Sequence, residues 1–362
     1  MKQLKEKLKR SKKLKILIIR LKPVGDTILI SAVFRNLKRL FPNCNIDIVV
    51  YPSAKDAIGA NPYINNIIIL KRTNLSKLLF YLKLIFTSHY DITIDYINNP
   101  TSTFITLFSA AKIKIGKNIA RNFFYTHKLN IDENIYSAIK SLYLLKPLGL
   151  KNFNDYMPEF FIKENDLKKA KNILKKAGIT SKDKIIGIFV SAKYPTRKYI
   201  PEGFAELAKK IINKFDCKVL LLFGKNDIET YRSIKKDLGK NRDIIYISDK
   251  ITIGEMAAII SRLRYFITND TGPKHLATAL NIPTLTIFGA TDETTWNPPD
   301  FKRFATIRKK LPCAPCNKLS CDSLECMKNL SPDEIFKKIK PLLRRFLKNA
   351  RANRDLNRSS SF

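Results

Sequence analysis

Short apolar strands alternate with helical patterns along this chain, in two separate series. Residues 15–20 open the first series as a short, continuous, β-branched run, which is typical of a strand buried on both faces. Residues 185–190 open the second series with the same pattern. Because strands that alternate with helices in short units form mostly parallel sheets, we predict an α/β fold with two Rossmann-like domains.

The predicted elements leave a gap between the two series. Strands are predicted at 15–20, 46–50, 67–70, 91–95, 185–190, 218–223, 244–247, 265–268 and 284–288. Helices are predicted at 27–41, 75–86, 101–110, 165–177, 202–215 and 253–261, and a last helix after Ser331. Thr252 and Glu255 have the spacing of a capping box at the start of one helix. Residues 118–165 show no clear periodicity.

The length and composition fit two folded domains. The chain has 362 residues, against a prior of roughly 150 per domain, and 45% of them are hydrophobic, which excludes a disordered chain. We assign an N-terminal acceptor-binding domain to residues 1–165 and a C-terminal nucleotide-sugar-binding domain to residues 183–332. A linker helix at 166–182 joins them, and a helix with a basic tail follows at 333–362.

The chain is strongly basic. Its 67 Lys and Arg residues exceed 31 Asp and Glu residues, for a formal net charge of +36. This charge suggests a nucleic-acid-binding protein as one alternative, but the basic residues are dispersed and no recognised binding module appears, so no nucleic acid is expected. Residues 1–13 and 333–362 each carry a net charge of +6, which suits an anionic membrane surface. The alternative is that both ends are solvated tails that bind no membrane.

No targeting segment is visible in the sequence. The basic start lacks the apolar core of a signal peptide, and the longest apolar stretch, 78–86, is far below the roughly 20 residues that span a bilayer. We therefore expect a cytoplasmic protein without a disulfide framework, and we expect any association with the membrane to be peripheral. Four cysteines cluster near the end of the second series and leave two alternatives, a structural zinc site or reduced or redox-sensitive thiols. They are Cys313, Cys316, Cys321 and Cys326.

Loops beyond the carboxyl ends of parallel strands are where such folds bind ligands. Asp26 lies in the first of these loops, next to Gly25, and is either a helix N-cap or a general base. The loop has one glycine, so it is not a dinucleotide fingerprint, and no nicotinamide cofactor is expected.

Two further loops carry candidate phosphate-binding groups. Asp270, Thr271 and Gly272 lie between a strand and a helix, where backbone N–H groups and the helix dipole attract anions, and His275 follows one turn later. After residues 185–190, Lys193 and Lys198 are candidates for a clamp on phosphate oxygens.

Together these segments resemble glycosyltransferase family 9, the ADP-heptose:lipopolysaccharide heptosyltransferases, over about residues 14 to 345. The resemblance is carried by Gly25-Asp26-Thr27, Lys198-Tyr199-Ile200-Pro201-Glu202, Asp270-Thr271-Gly272-Pro273-Lys274-His275 and Phe288-Gly289-Ala290-Thr291-Asp292. It implies a GT-B fold, in which two Rossmann-like domains with parallel sheets face each other across a cleft. It also implies metal-independent, inverting transfer of a heptose from ADP-heptose to the inner core of lipopolysaccharide, with no cofactor.

The resemblance assigns roles to individual residues. Asp26 matches the general base, and Lys198 matches the lysine that neutralises the departing diphosphate. The donor site implied by the match comprises Ser191, Lys193, Asp227, Ile251, Asp270, Thr271, Gly272, His275, Thr291 and Asp292. Within it Asp227 falls at the ribose position and the main chain of Ile251 at the adenine position.

Three positions depart from the family pattern. Ile200 stands where tryptophan is common, Ser191 where glycine is frequent, and Asp227 where glutamate is usual. These departures leave open a different nucleotide sugar or acceptor. A catalytically silent, sugar-binding member is a further alternative, against which the intact Asp26 argues.

Overall fold

Two parallel sheets of six strands each make up the framework of the part of the chain that the structure describes, residues 14–87, 89–224, 227–247 and 251–348. This computed structural model divides into two compact units, Met1–Ile162 and Lys163–Phe362. The helix predicted to join the domains lies in the second unit. The acceptor and donor roles of the two domains stay predictions.

The first unit has the strand order β3-β2-β1-β4-β5-β6. Its strands are β1 (Lys15–Arg20), β2 (Asn45–Val50), β3 (Asn66–Ile69), β4 (Ile92–Asp95), β5 (Ile113–Lys117) and β6 (His127–Leu129). Its helices are α1 (Val24–Leu29), α2 (Ser31–Leu40), α3 (Asn74–Thr87), α4 (Pro100–Phe108) and α5 (Ser137–Tyr143). The central strand β1 pairs with β2 and β4, so that Ile16 lies between Ile46 and Ile92.

The second unit has the strand order β9-β8-β7-β10-β11-β12. Its strands are β7 (Ile185–Phe189), β8 (Lys218–Leu222), β9 (Ile244–Ile247), β10 (Tyr265–Asn269), β11 (Thr284–Phe288) and β12 (Phe304–Arg308). Its helices are α6 (Glu164–Lys176), α7 (Pro201–Lys214), α8 (Ile228–Leu238), α9 (Ile253–Ile260), α10 (Gly272–Ala279), α11 (Glu293–Trp296), α12 (Glu325–Lys328) and α13 (Pro332–Lys348).

Both sheets have the doubly wound order 3-2-1-4-5-6, which confirms the prediction of two Rossmann-like units. The chain reverses its winding direction between β1 and β4 in the first unit, and between β7 and β10 in the second. Ligands of this fold bind beyond the carboxyl ends of the strands at such switch points. The loops after these four strands are therefore where a site is expected.

Each unit buries its own apolar core. In the second unit Ile188 of β7 and Ile267 of β10 are fully buried with Leu207 of α7 and Ile339 of α13. The apolar, β-branched strands meet helices on both faces, which is why their sequences read as continuous hydrophobic runs. Helix α13 thus belongs to the second core rather than to a separate tail. Of the predicted basic ends, residues 1–13 and 349–362 lie outside the described residues, whereas residues 333–348 lie in α13.

Most element predictions are confirmed, with instructive exceptions. The capping box at Thr252 forms, and Ser331 and Glu334 exchange reciprocal hydrogen bonds at the start of α13. The single helix predicted at 27–41 is wrong, because α1 and α2 are separate helices divided at Ile30. Strands β5, β6 and β12 were not predicted. β6 has only three residues, none of them buried, so it shows no continuous apolar run.

Candidate functional site

Asp26 is held by an arginine at the end of the central strand. The Nη2 atom of Arg20 donates to Asp26 Oδ1 at 3.1 Å and to the Asp26 carbonyl at 3.0 Å. Its Nη1 atom donates at 3.1 Å to the carbonyl of Tyr96, which follows β4. The Asp26 side chain keeps 27% of its surface exposed, so the carboxylate is both oriented and accessible. The N-cap alternative is wrong, since Pro23 occupies that position and no side chain caps the helix.

A buried carboxylate organises the neighbouring loop after β4. Asp95 Oδ1 accepts hydrogen bonds from the N–H groups of Ile97 (2.8 Å) and Asn98 (3.0 Å), and Asp95 Oδ2 accepts one from the Tyr125 hydroxyl at 2.7 Å. Burial raises the pKa of Asp95, although these hydrogen bonds oppose the shift. Asn98 adopts a left-handed conformation with φ of 57°. These contacts of Asp95 therefore fix the loop that presents the Tyr96 carbonyl to Arg20.

Lys198 and Asp227 form an ion pair beyond the carboxyl ends of β7 and β8. Lys198 Nζ lies 2.8 Å from Asp227 Oδ1, which also accepts a hydrogen bond from the Thr230 hydroxyl at 2.5 Å. Burial opposes ionisation of Asp227, but the Lys198 and Thr230 hydrogen bonds hold its pKa below the usual value. Ser191 accepts the Gly224 N–H at 2.8 Å and joins the loops after these same two strands.

Asn269, the last residue of β10, fixes the backbone beside Lys198. Its Oδ1 atom accepts the Tyr199 N–H at 3.1 Å, and its Nδ2 atom donates to the Val190 carbonyl at 3.0 Å. Because Asn269 is fully buried, these contacts define where the Lys198 segment lies against the switch point. Lys193, by contrast, is exposed, with Nζ 5.1 Å from the Tyr194 ring centre.

Asp270 is buried in an ion pair with Lys274. Lys274 Nζ lies 2.6 Å from Asp270 Oδ1, the Thr291 hydroxyl donates to Asp270 Oδ2 at 2.8 Å, and Arg197 Nη1 lies 3.9 Å from Oδ2. Both carboxylate oxygens are thus engaged. Although burial raises the pKa of Asp270, Lys274 holds it below its usual value, while burial lowers the pKa of Lys274 itself. Asp270 thereby fixes the loops after β10 and β11 together.

The start of α10 lies directly after this ion pair. Thr271 is the N-terminal flanking residue of the helix, and a Cβ atom placed on Gly272 would meet nothing within 4 Å. The backbone at Gly272 therefore faces open space, as an anion-binding helix start requires. His275 is buried one turn later, with its ring centre 6.1 Å from that of Trp296. Burial and then Lys274 lower the pKa of His275 to about 3, so its imidazole is neutral at pH 7.

Two predicted donor residues remain, Asp292 and Ile251. Asp292 caps α11 by accepting the Thr294 N–H at 3.0 Å. Burial opposes ionisation of Asp292, but hydrogen bonds from the Thr294 hydroxyl and then from the Thr294 N–H hold its pKa below the usual value. Ile251 is buried where the described chain resumes before α9. The adenine contact predicted for its main chain stays a prediction.

The cysteine segment packs against the site loops. The Thr196 hydroxyl donates to the Lys318 carbonyl at 2.8 Å, and the Asn317 N–H donates to the Ala290 carbonyl at 2.8 Å. Cys326 is buried, whereas the other three thiols of the cluster are exposed. Among the residues described between 14 and 348, no three His, Cys, Asp or Glu side chains are grouped so that they could hold a metal. This geometry gives the zinc alternative no support.

The sequence located the site loops but missed the residues that hold them. In the first unit Arg20 holds Asp26. In the second unit Asn269 fixes the backbone beside Lys198, and Arg197 and Lys274 lie against Asp270. Only Lys274 carried a local signal, since it lies four residues after Asp270 on a helix start. Arg20 contacts Asp26 only six residues away, but its contact with Tyr96 and the contact of Asn269 with Val190 each join residues more than seventy positions apart.

Solved structures that align over both units show the same fold. The chain aligns with the glycosyl transferase family 9 structure from Veillonella parvula at 20% identity and a TM-score of 0.79, covering 92% of this chain and 97% of that one. It aligns with E. coli ADP-heptose lps heptosyltransferase II at 19% identity and a TM-score of 0.74, covering 92% and 99%. The fold is that of a GT-B-type glycosyltransferase.

Sequence comparison identifies the family. The family model described as glycosyltransferase family 9 (heptosyltransferase) matches residues 82–327. Lipopolysaccharide heptosyltransferase 1 from Campylobacter coli is 29% identical over 300 residues, which cover 77% of this chain and 84% of that protein. The chain belongs to glycosyltransferase family 9 and is a glycosyltransferase, which decides against the non-enzymatic nucleic-acid-binding alternative.

Proposed function

We propose that this protein transfers a heptose from ADP-heptose to a sugar hydroxyl of the lipopolysaccharide inner core, with inversion and without a metal. The observation that carries the proposal is the pair Lys198–Asp227, a cation and a carboxylate at the switch point of the second unit. A nucleoside diphosphate sugar presents phosphate oxygens and a ribose diol, which are the partners these two side chains recognise. The similarity to lipopolysaccharide heptosyltransferases supports the substrate class.

On the acceptor side, Asp26 is the proposed general base. Its carboxylate is oriented by Arg20 and remains accessible, so it can accept the proton of an incoming hydroxyl group. The hydroxyl oxygen then forms a bond to the anomeric carbon as the bond from that carbon to the diphosphate oxygen breaks. One displacement of this kind inverts the anomeric configuration and needs no covalent intermediate.

On the leaving-group side, positive charge is proposed to stabilise the departing ADP. The Lys198 ammonium group and the open N-terminus of α10 at Gly272 can both face phosphate oxygens. Asp270 and Lys274 are proposed to act on this site indirectly, since their charges neutralise each other inside the loop. Because protein groups supply the positive charge, the proposed transfer does not need a metal ion.

The localisation belongs to the same proposal. An inner-core acceptor is carried on a lipid, so we place the protein in the cytoplasm at the inner face of the cytoplasmic membrane. Among the helices that the structure describes, none is long and apolar enough to cross a bilayer. Of the basic ends proposed to assist attachment, residues 1–13 and 349–362 lie outside the described residues, and residues 333–348 lie in α13.

The test is an assay with ADP-heptose and a heptose-deficient core acceptor in the presence of EDTA. We expect ADP release and a product of inverted anomeric configuration, read by NMR, with no transfer from UDP-sugars. Calorimetry with ADP, UDP and NAD should show selective ADP binding. Transfer that requires an added divalent cation, or a product of retained configuration, would overturn the mechanism; transfer only from another nucleotide sugar would overturn the donor assignment.

A further inference from the structure

Helix α3 of the first unit is apolar on two opposite faces. On its inner face Leu84 is buried, and Phe80 and Tyr81 pack against the core beneath it. Its outer face carries large apolar side chains that are 41% to 77% exposed: Leu75, Leu78, Leu79, Leu82, Ile85 and Phe86. Their spacing of three and four residues places them in one stripe along the helix. A surface helix of a water-exposed domain ordinarily carries polar residues there.

The adjacent helix α4 extends this apolar surface. Phe104 is 47% exposed and Leu107 is 40% exposed. The Tyr81 ring centre lies 6.0 Å from that of Phe104 and 5.6 Å from that of Phe108, so aromatic contacts fix the two helices side by side. The eight exposed side chains of α3 and α4 form what we call the α3–α4 face. A contiguous apolar surface of this kind marks a site of interaction.

The charges around the α3–α4 face have one sign. Neither residues 57–90 nor residues 96–131 contain an Asp or Glu, although both stretches contain Lys and Arg. Lys71, Arg72, Lys83 and Lys112 are exposed at or beside the two helices. With a formal net charge of +36, two copies of the chain repel each other, which disfavours a second copy as the occupant. An anionic surface with an apolar interior complements both properties of the face.

We infer that the α3–α4 face binds the surface of an anionic lipid bilayer. The leucine and phenylalanine side chains enter the boundary between headgroups and acyl chains, and the surrounding lysine and arginine side chains contact the headgroup phosphates. Helix α3 has 14 residues, too few to span a bilayer, so it lies in the interface between headgroups and acyl chains. This inference assigns a binding surface to the membrane location given under the proposed function. It does not rest on the proposed sugar transfer, because it concerns a face whose residues take no part in that chemistry.

The first test is flotation of the full chain with vesicles of phosphatidylcholine alone or with added phosphatidylglycerol. We expect binding to the anionic vesicles, and at least about tenfold weaker binding after the combined change Leu78→Gln, Leu82→Gln and Phe86→Gln, since membrane affinity scales with buried apolar area. The matched control changes three comparably exposed side chains of the second unit, Leu167→Gln, Phe301→Gln and Leu319→Gln, and should bind as the parent does.

A second test reads insertion directly. A Leu82→Trp variant should gain a blue-shifted fluorescence component on anionic vesicles, quenched by lipids brominated on the acyl chains. Binding that persists unchanged in the triple α3 variant would assign attachment to the basic chain ends and overturn the inference. No binding of the parent, or a dimer that the triple variant abolishes, would overturn it as well. If the parent protein binds anionic vesicles but transfers no heptose, only the proposed function is contradicted.

Discussion

Lys198 Nζ lies 2.8 Å from Asp227 Oδ1. The residue assigned to the diphosphate and the residue assigned to the ribose therefore form an ion pair with each other. If Lys198 neutralises the departing diphosphate, its charge matters most when the bond to the anomeric carbon is breaking. We expect Lys198→Ala to lower kcat by roughly 10²–10³-fold, as the loss of one transition-state-stabilising group does elsewhere. Steady-state kinetics measure this, and Lys236→Ala, an exposed lysine on α8, is the control.

The contact between Asp26 and Arg20 leads to a second prediction, which is independent of the one for Lys198. Asp26→Asn removes the proton acceptor while preserving shape, so kcat should fall by roughly 10²–10⁴-fold. ADP affinity by calorimetry should stay unchanged, because Asp26 lies in the first unit and the proposed ADP contacts lie in the second. Arg20→Lys keeps the positive charge but loses the fork that contacts Asp26 and Tyr96 together, and should lower kcat less. Full activity in Asp26→Asn would remove it from the role of base.

The Asp270–Lys274 pair gives a prediction about stability. Both side chains are buried, so Asp270→Asn leaves an uncompensated ammonium group and should lower the free energy of unfolding by roughly 3–5 kcal/mol. The double variant Asp270→Asn, Lys274→Met should recover part of that loss, since the stranded charge is gone. Urea unfolding measures both.

An exposed pair with the same spacing serves as the control. Glu164 and Lys168 are 80% and 71% exposed and their charged atoms lie 2.7 Å apart. Glu164→Gln should therefore change the free energy of unfolding by less than about 1 kcal/mol. Equal effects at the two pairs would mean that burial of Asp270 does not make its ion pair structurally important.

The sequence predicted what depends on local pattern and missed what depends on tertiary contact. Apolar, β-branched runs such as 15–20 identify buried strands because both faces of a parallel strand are covered. Asp26 was found because it lies in the short segment that follows such a strand. Its partner Arg20 lies only six residues away, but the contact that fixes the guanidinium group, with the Tyr96 carbonyl, arises from the pairing of β1 with β4 and has no local signal. Similarly, the Thr291 hydroxyl that donates to Asp270 comes from the loop after another strand, which local pattern does not show.

His275 predicts how stability depends on pH. Burial lowers the pKa of its imidazole to about 3, whereas the unfolded chain has an ordinary histidine pKa of about 6.5. Between these values the unfolded state binds a proton that the folded state does not. The contribution of His275 is therefore complete above about pH 6.5 and is lost as the pH falls toward 3, by up to roughly 1.4 kcal/mol per pH unit.

Urea unfolding between pH 7 and 4 tests this linkage. The free energy of unfolding should fall less steeply with decreasing pH in His275→Asn than in the parent, because asparagine takes up no proton in the unfolded state. His89→Asn is the matched control, since His89 is exposed. Its pH dependence should follow that of the parent. If His275→Asn follows the parent too, the folded protein protonates His275 as readily as the unfolded chain does, and the imidazole cannot be neutral by burial.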